Sequence, residues 1–193
     1  MPILGTIASS RLTGLTPLLA YESLGNFAPS GSTLSITGIP STYRFLRLMG
    51  HVADNRGVAY SGLNMIFNGD TGSKYWYSYL VGDNRSSAVQ SGSNGNAYVT
   101  NFGFDIMGGP TSSSSYTGFD MIDIYDYANT SKNTTVLNRM GWADANNTGY
   151  VIRSLAGKHQ GFWNDTSVVS SITITTPFGP FRNTQYTLYG IKD

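Results

Sequence analysis

Few residues in this chain could do acid–base or nucleophilic chemistry. Its 193 residues include 11 aspartates and glutamates, two histidines and no cysteine. The missing cysteine excludes a disulfide scaffold, a thiolate metal site and a cysteine nucleophile. Glu22 is the single glutamate and stands beside the N-terminal segment. Asp120, Asp123 and Asp126 lie three apart, which on a strand puts Asp120 and Asp126 on one face and Asp123 on the other. They are expected to be edge or surface charges that discourage edge-to-edge pairing. Glycoside hydrolysis needs two carboxylates held in different protonation states, and this spacing does not supply them. His51 is expected just after a strand and His159 in the turn Gly157-Lys158-His159-Gln160-Gly161, each as an isolated side chain. No Gly-x-Ser-x-Gly elbow accompanies them. No catalytic residue is assigned.

Two turns carry oxygen ligands, Asn68-Gly69-Asp70-Thr71-Gly72 and Asp144-Ala145-Asn146-Asn147. Neither has the spacing of a calcium loop, and Asn and Asp in turns ordinarily bond their own backbone. Gly157-Lys158 lacks the rest of a phosphate-binding loop. No metal and no cofactor is therefore expected. A contact surface is the remaining option. Tyr75-Trp76-Tyr77-Ser78-Tyr79 is expected as one strand with the three tyrosines on one face and Trp76 on the other. In that arrangement one face is core and the hydroxyls reach the rim. Trp76, Tyr77 and Tyr116 are the candidate ligand or receptor residues.

These side chains must be positioned by strands. Gly, Ser, Thr and Asn number 23, 23, 20 and 15, whereas there are four lysines and one glutamate. Surface helix formers are scarce while turn and strand formers dominate, which excludes a helical protein and a doubly wound α/β enzyme. Ten β-type runs are expected: 33–37, 43–50, 63–68, 74–80, 97–104, 119–127, 134–142, 150–155, 167–176 and 185–191. Asn-Gly and Gly-Asp turns separate them. The longer stretches 82–96 and 108–118 are expected as loops. This pattern predicts an all-β, antiparallel β-sandwich of jelly-roll type over residues 21–193.

Residues 1–20 form a separate unit. Ile3, Leu4, Ile7, Leu12 and Leu15 are scattered among Gly, Ser and Thr without a helical or alternating period. They are expected to form an extended docking arm bound to another chain. Net charge is +1 with 12% charged residues, which argues against nucleic acid as a partner. No stretch approaches the ~20 apolar residues of a membrane span, and the N-terminus lacks the charged and apolar regions of a signal peptide. Uncharged strands such as 171–176 would be a hazard at an exposed edge. Self-association into a closed oligomer is expected to bury them.

Several segments, in order, resemble virion structural proteins of tailed bacteriophages. They are Ile39-Pro40-Ser41-Thr42-Tyr43-Arg44-Phe45-Leu46-Arg47-Leu48, Phe67-Asn68-Gly69-Asp70-Thr71-Gly72-Ser73-Lys74-Tyr75, Asp123-Ile124-Tyr125-Asp126-Tyr127-Ala128-Asn129-Thr130, Trp163-Asn164 and Tyr186-Thr187-Leu188-Tyr189-Gly190-Ile191-Lys192. The opening Met1-Pro2-Ile3-Leu4-Gly5-Thr6-Ile7-Ala8-Ser9-Ser10 is similar to members of that group as well. The resemblance implies a non-enzymatic jelly-roll module of the virion, either a capsid decoration (cement) protein or a tail or fibre part. It would be made in the host bacterial cytoplasm without a signal peptide. It also implies a homo-oligomer, with three-fold symmetry, and contacts with capsid or tail subunits. The rivals are a module that binds a host-surface glycan or receptor, and a polysaccharide depolymerase.

Overall fold

Turn chemistry sets where the strands end. Asn68 and Gly69 adopt φ of 53° and 68°, and the Asp70 amide donates to the Phe67 carbonyl at 2.8 Å. Asn-Gly tolerates this left-handed pair where most residues would be strained. The computed structural model describes residues 21–55, 60–81, 90–93, 99–107, 118–143, 150–154 and 161–192, and no helix occurs among them. The chain is all-β and its strands pair antiparallel.

Fourteen strands occur among the described residues: β1 (Tyr21–Phe27), β2 (Thr33–Thr37), β3 (Phe45–Val52), β4 (Tyr60–Phe67), β5 (Tyr75–Trp76), β6 (Ser78–Val81), β7 (Gln90–Ser93), β8 (Phe102–Met107), β9 (Gly118–Tyr125), β10 (Thr134–Ala143), β11 (Tyr150–Ser154), β12 (Gly161–Trp163), β13 (Ser171–Thr175) and β14 (Gln185–Ile191). Eight pair in a nested order: β1 with β14, β2 with β13, β3 with β9 and β4 with β8. The larger sheet runs β1-β14-β3-β9-β10-β12-β5, with β11 on the far half of β10; the smaller runs β2-β13-β4-β8. β6 and β7 form a separate two-stranded ribbon.

Alternation places the core between the two main sheets. Leu46, Leu48, Ile122, Ile124 and Leu188 come from the larger sheet; Leu34, Ile36, Leu63, Met65, Ile172 and Ile174 come from the smaller. Each such side chain stabilises the fold by roughly 1.5–3 kcal/mol when fully removed from water. Glycine makes room for rings. A Cβ on Gly50 would lie 2.3 Å from the Gln185 carbonyl oxygen and 2.7 Å from the Tyr186 ring, and one on Gly190 would lie 2.5 Å from the Tyr43 ring.

The structure corrects several expectations. The run 74–80 is not one strand: β5 joins the larger sheet and β6 pairs with β7, with the break at Tyr77. β7 lies inside the stretch 82–96 that reads as a loop, because its Gln-Ser-Gly-Ser sequence has no apolar alternation. β1 and β12 carry no signal strong enough to be expected. The run 97–104 is displaced to β8, and His51 lies within β3 rather than after it. β13 sits between β2 and β4, so 171–176 is no exposed edge and gives no reason for self-association. Residues 1–20, the whole expected arm, lie outside the described residues.

Replacing Gly50 by Ala is expected to lower stability by about 1–3 kcal/mol, the range for overpacking a full core. Urea unfolding of the two proteins measures it. An unchanged midpoint would mean that the Tyr186 ring does not lie over this glycine.

Candidate functional site

The candidate contact residues do not come together as expected. Tyr75 is wholly buried, Tyr77 is half-buried and Tyr79 is 38% exposed. The broken strand thus turns the expected tyrosine face into a gradient from core to surface. Tyr77 packs over Gly103, where a Cβ would meet its hydroxyl at 2.8 Å. Burial raises its pKa. Trp76 is half-buried and stacks on Phe162, with centroids 5.7 Å apart and planes 29° apart. Tyr116, Ile3, Leu4, Ile7, Leu12 and Leu15 lie outside the described residues, as does His159. His51 is exposed on β3.

The carboxylates are the main surprise. Asp120 and Asp123, expected at a surface or edge, are 0% and 1% exposed, because β9 is an interior strand flanked by β3 and β10. Asp120 points into the core beside Ile122. Its Oδ2 accepts from the Tyr186 hydroxyl at 2.7 Å and its Oδ1 from Asn138 Nδ2 at 2.6 Å. Tyr186, Gly50 and Asp120 are successive partners across β14, β3 and β9, so the ring crosses above the glycine to reach the carboxylate. Burial pushes the Asp120 carboxyl up to about 6, against the pull of the bonds from Tyr186, Asn138 and the Met121 amide. Burial also raises Tyr186, and the neighbouring Asp120 adds to this. Asn138 Oδ1 is left buried with no hydrogen-bond partner. A single carboxylate sealed in the core has no route to a substrate.

Asp123 is covered on the opposite face of the sheet. Arg47 grips it with two bonds, Nε to Oδ1 at 2.5 Å and Nη2 to Oδ2 at 2.8 Å. Arg139 approaches to 4.0 Å. The bond to Asp123 raises the Arg47 pKa. Arg47 also donates to the Tyr21 hydroxyl and lies over the Tyr21 and Phe45 rings.

A third group ties the 68–74 turn to the segment after β12. Asp70 accepts from the Gly72 amide and from Trp163 Nε1, both at 2.9 Å. Lys74 reaches Asp70 at 3.1 Å and Asp165 at 2.7 Å. Its bond, with those from Ser167, lowers the Asp165 carboxyl to about 2. Asn68 Oδ1 accepts from the Ser170 and Ser171 amides at 2.9 and 3.1 Å. The side-chain oxygen atoms of Asn68 and Asp70 are thus engaged by the protein itself, while the turn 144–147 lies outside the described residues. Among the described residues no group of three or more His, Asp or Glu is placed to hold a metal.

The surface depressions include two lined by described residues. One, of about 420 Å³, is lined by Tyr43, Arg44, Asp126, Ala128, Asn129 and Thr130. The other, about 120 Å³ and largely apolar, lies between β1 and the end of β2, against Leu24, Phe27, Ile39 and Pro40. Tyr127 fixes the chain between them, donating to the Pro40 carbonyl at 2.6 Å and accepting from the Tyr43 amide at 3.1 Å. The chain matches no protein-family model and no curated protein.

The buried carboxyl makes stability depend on pH. Its folded value, about 6, lies above the ordinary 3.8. Its contribution is therefore complete below the ordinary value and is lost as pH rises through the folded one. Relative to the wild type, Asp120→Asn should gain about 3 kcal/mol of stability between about pH 4 and about pH 8. Denaturant titrations of both proteins across that range check it, and the difference removes the opposite dependence of Asp165. A difference independent of pH would mean that Asp120 titrates alike in the folded and unfolded chain.

Proposed function

We propose that this chain is a non-enzymatic structural protein of a tailed-bacteriophage virion. In this reading a jelly-roll β-sandwich is carried on the capsid exterior or on the tail, and an N-terminal arm docks it to a capsid or tail subunit. The observation that carries the reading is the nested pairing of β1 with β14, β2 with β13, β3 with β9 and β4 with β8. Rolling a long hairpin of paired strands into two sheets produces that order. The resulting jelly roll serves in viral capsid domains. The ordered likeness to virion proteins, from Ile39 to Lys192, points the same way.

The chemistry of the acidic groups favours a passive part. Asp70, Asp120, Asp123 and Asp165 are occupied with bonds that hold strands and turns together. None of them forms with another a pair arranged for proton transfer. The arm residues Ile3, Leu4, Ile7, Leu12 and Leu15 precede β1, an edge strand of the larger sheet. A polypeptide arm extending from a sheet edge can reach a neighbour while the domain stays rigid. The assembly is a homo-oligomer, a trimer by the virion likeness. The protein is made in the host cytoplasm and resides in the particle.

A second reading draws on the half-buried Trp76–Phe162 stack at the β5–β12 end of the sheet. Flat aromatic surface of this kind suits a host glycan or receptor. Retention of labelled bacterial glycans by the wild type but not by Trp76→Ala would favour it.

Deleting residues 1–20 is expected to leave the β-type far-UV spectrum and the unfolding midpoint nearly unchanged while abolishing incorporation into particles. Loss of the folded spectrum would instead assign residues 1–20 to the domain's own core.

A further inference from the structure

The outward faces of the two main sheets differ in chemistry. On the smaller sheet the outward positions of β2 and β13 are Thr33, Ser35, Thr37, Ser171, Thr173 and Thr175, small polar residues suited to water. On the larger sheet, alternate positions of β3, β9 and β10 present Phe45, Met49, Phe119, Met121, Tyr125 and Leu137, all half-buried except Phe119, which is 48% exposed. Register puts Met49 beside Met121 and Phe45 beside Tyr125, whose ring centroids are 4.9 Å apart. In a chain rich in Ser, Thr, Asn and Gly, two of the six methionines gather here. Methionine, aromatic residues and arginine are the types enriched at protein contact surfaces, while Lys, Glu, Asp and Ser are depleted. The outward positions of β3, β9, β10 and β14 hold no Lys, Glu or Ser and one aspartate, Asp123, which Arg47 binds.

We infer that this outward face of the larger sheet is the surface by which the chain associates with a second copy of itself. The inference rests on the homo-oligomeric part of the proposed function and not on its placement in a virion. Charge permits a second copy. Asp123 is held by Arg47 and approached by Arg139, so two arginines and one aspartate leave the face a formal charge of +1 and only weak repulsion from its own kind. Area agrees: five strands of about seven residues cover about 24 Å by about 24 Å, on the order of 600 Å² in flat projection. Stable interfaces bury about 800 Å² of accessible surface per partner, and a corrugated face exposes more than its projection. Face against face makes a two-fold contact in which each copy offers the same residues; a three-fold ring would set this face against a different surface of its neighbour.

Sedimentation of the full chain from about 1 to about 100 µM, the span of moderate affinities, tests the inference with three variants. Met121→Lys sets a positive charge directly opposite Arg139 at the centre of the face and should weaken self-association by about 10-fold or more. Phe119→Lys, at an exposed side chain that leaves the core untouched, should do the same and guards against a folding defect in the first variant. Ser35→Glu, on the polar sheet, should leave association unchanged. If the wild type associates and neither face variant weakens it, the face is overturned while homo-oligomerisation stands. A wild type that remains monomeric throughout overturns both.

Discussion

The Asp120 carboxylate binds neighbouring strands of the larger sheet to one another. It is reached from β14 by Tyr186, passing over Gly50 of β3, and from β10 by Asn138. No cation is bonded to it among the described residues. Burying such a group costs several kcal/mol unless its hydrogen bonds are made, so each of the strands must sit in one register for the others to tolerate it. A slip by two residues in β14 or β10 would keep the apolar face inward but carry Tyr186 or Asn138 about 7 Å along the strand and leave the carboxylate bare. Apolar contacts alone would accept several registers. This polar group accepts one, which is a specificity argument more than a stability argument.

On the reverse of the same strand, Asp123 does a related job in a wetter place. Arg47 holds it with the fork geometry that suits a carboxylate, and rings from Tyr21 and Phe45 cover the guanidinium. Asp120 and Asp123, three apart on β9, therefore fix the sheet from its two sides. Glycine and aromatic residues supply the third ingredient. Where Tyr186 and Tyr43 cross a neighbouring strand, a glycine lies beneath the ring, and the high content of both residue types follows from that pairing as much as from turns.

Much of the fold was legible from periodicity and turn chemistry. Thr33–Thr37 and Gln185–Ile191 were expected with the bounds they have, because alternation there is unbroken and a core face must be apolar. The Asn68-Gly69 turn was readable because few residue pairs accept its backbone angles. β1 and β12 were not, since Tyr21–Phe27 is irregular, with a register shift between Ser23 and Gly25, and Gly161–Trp163 is too short to show a period. The aspartates of β9 were misplaced for a definite reason: charge is a cue to exposure only while its partners are unknown. Tyr186, Gly50 and Arg47 are 60 or more residues away from Asp120 or Asp123 in sequence and meet them only after β3, β9 and β14 have paired. The aromatic run at Tyr75–Tyr79 misled in the opposite way, since alternation persists in the sequence across a break where the chain changes sheets.

The nested pairing also sets a timetable. The Asn26 and Thr187 side chains bond across 161 residues of chain, and β3 has β14 as one of its two neighbours. During synthesis β1 and β3 therefore emerge long before Gln185–Ile191 exists to lie between them and pair with both. Contacts this distant close slowly, and unpaired strands held open are prone to aggregate. β14 lies between β1 and β3 and locks both, so the nascent chain must be kept from associating prematurely until β14 arrives.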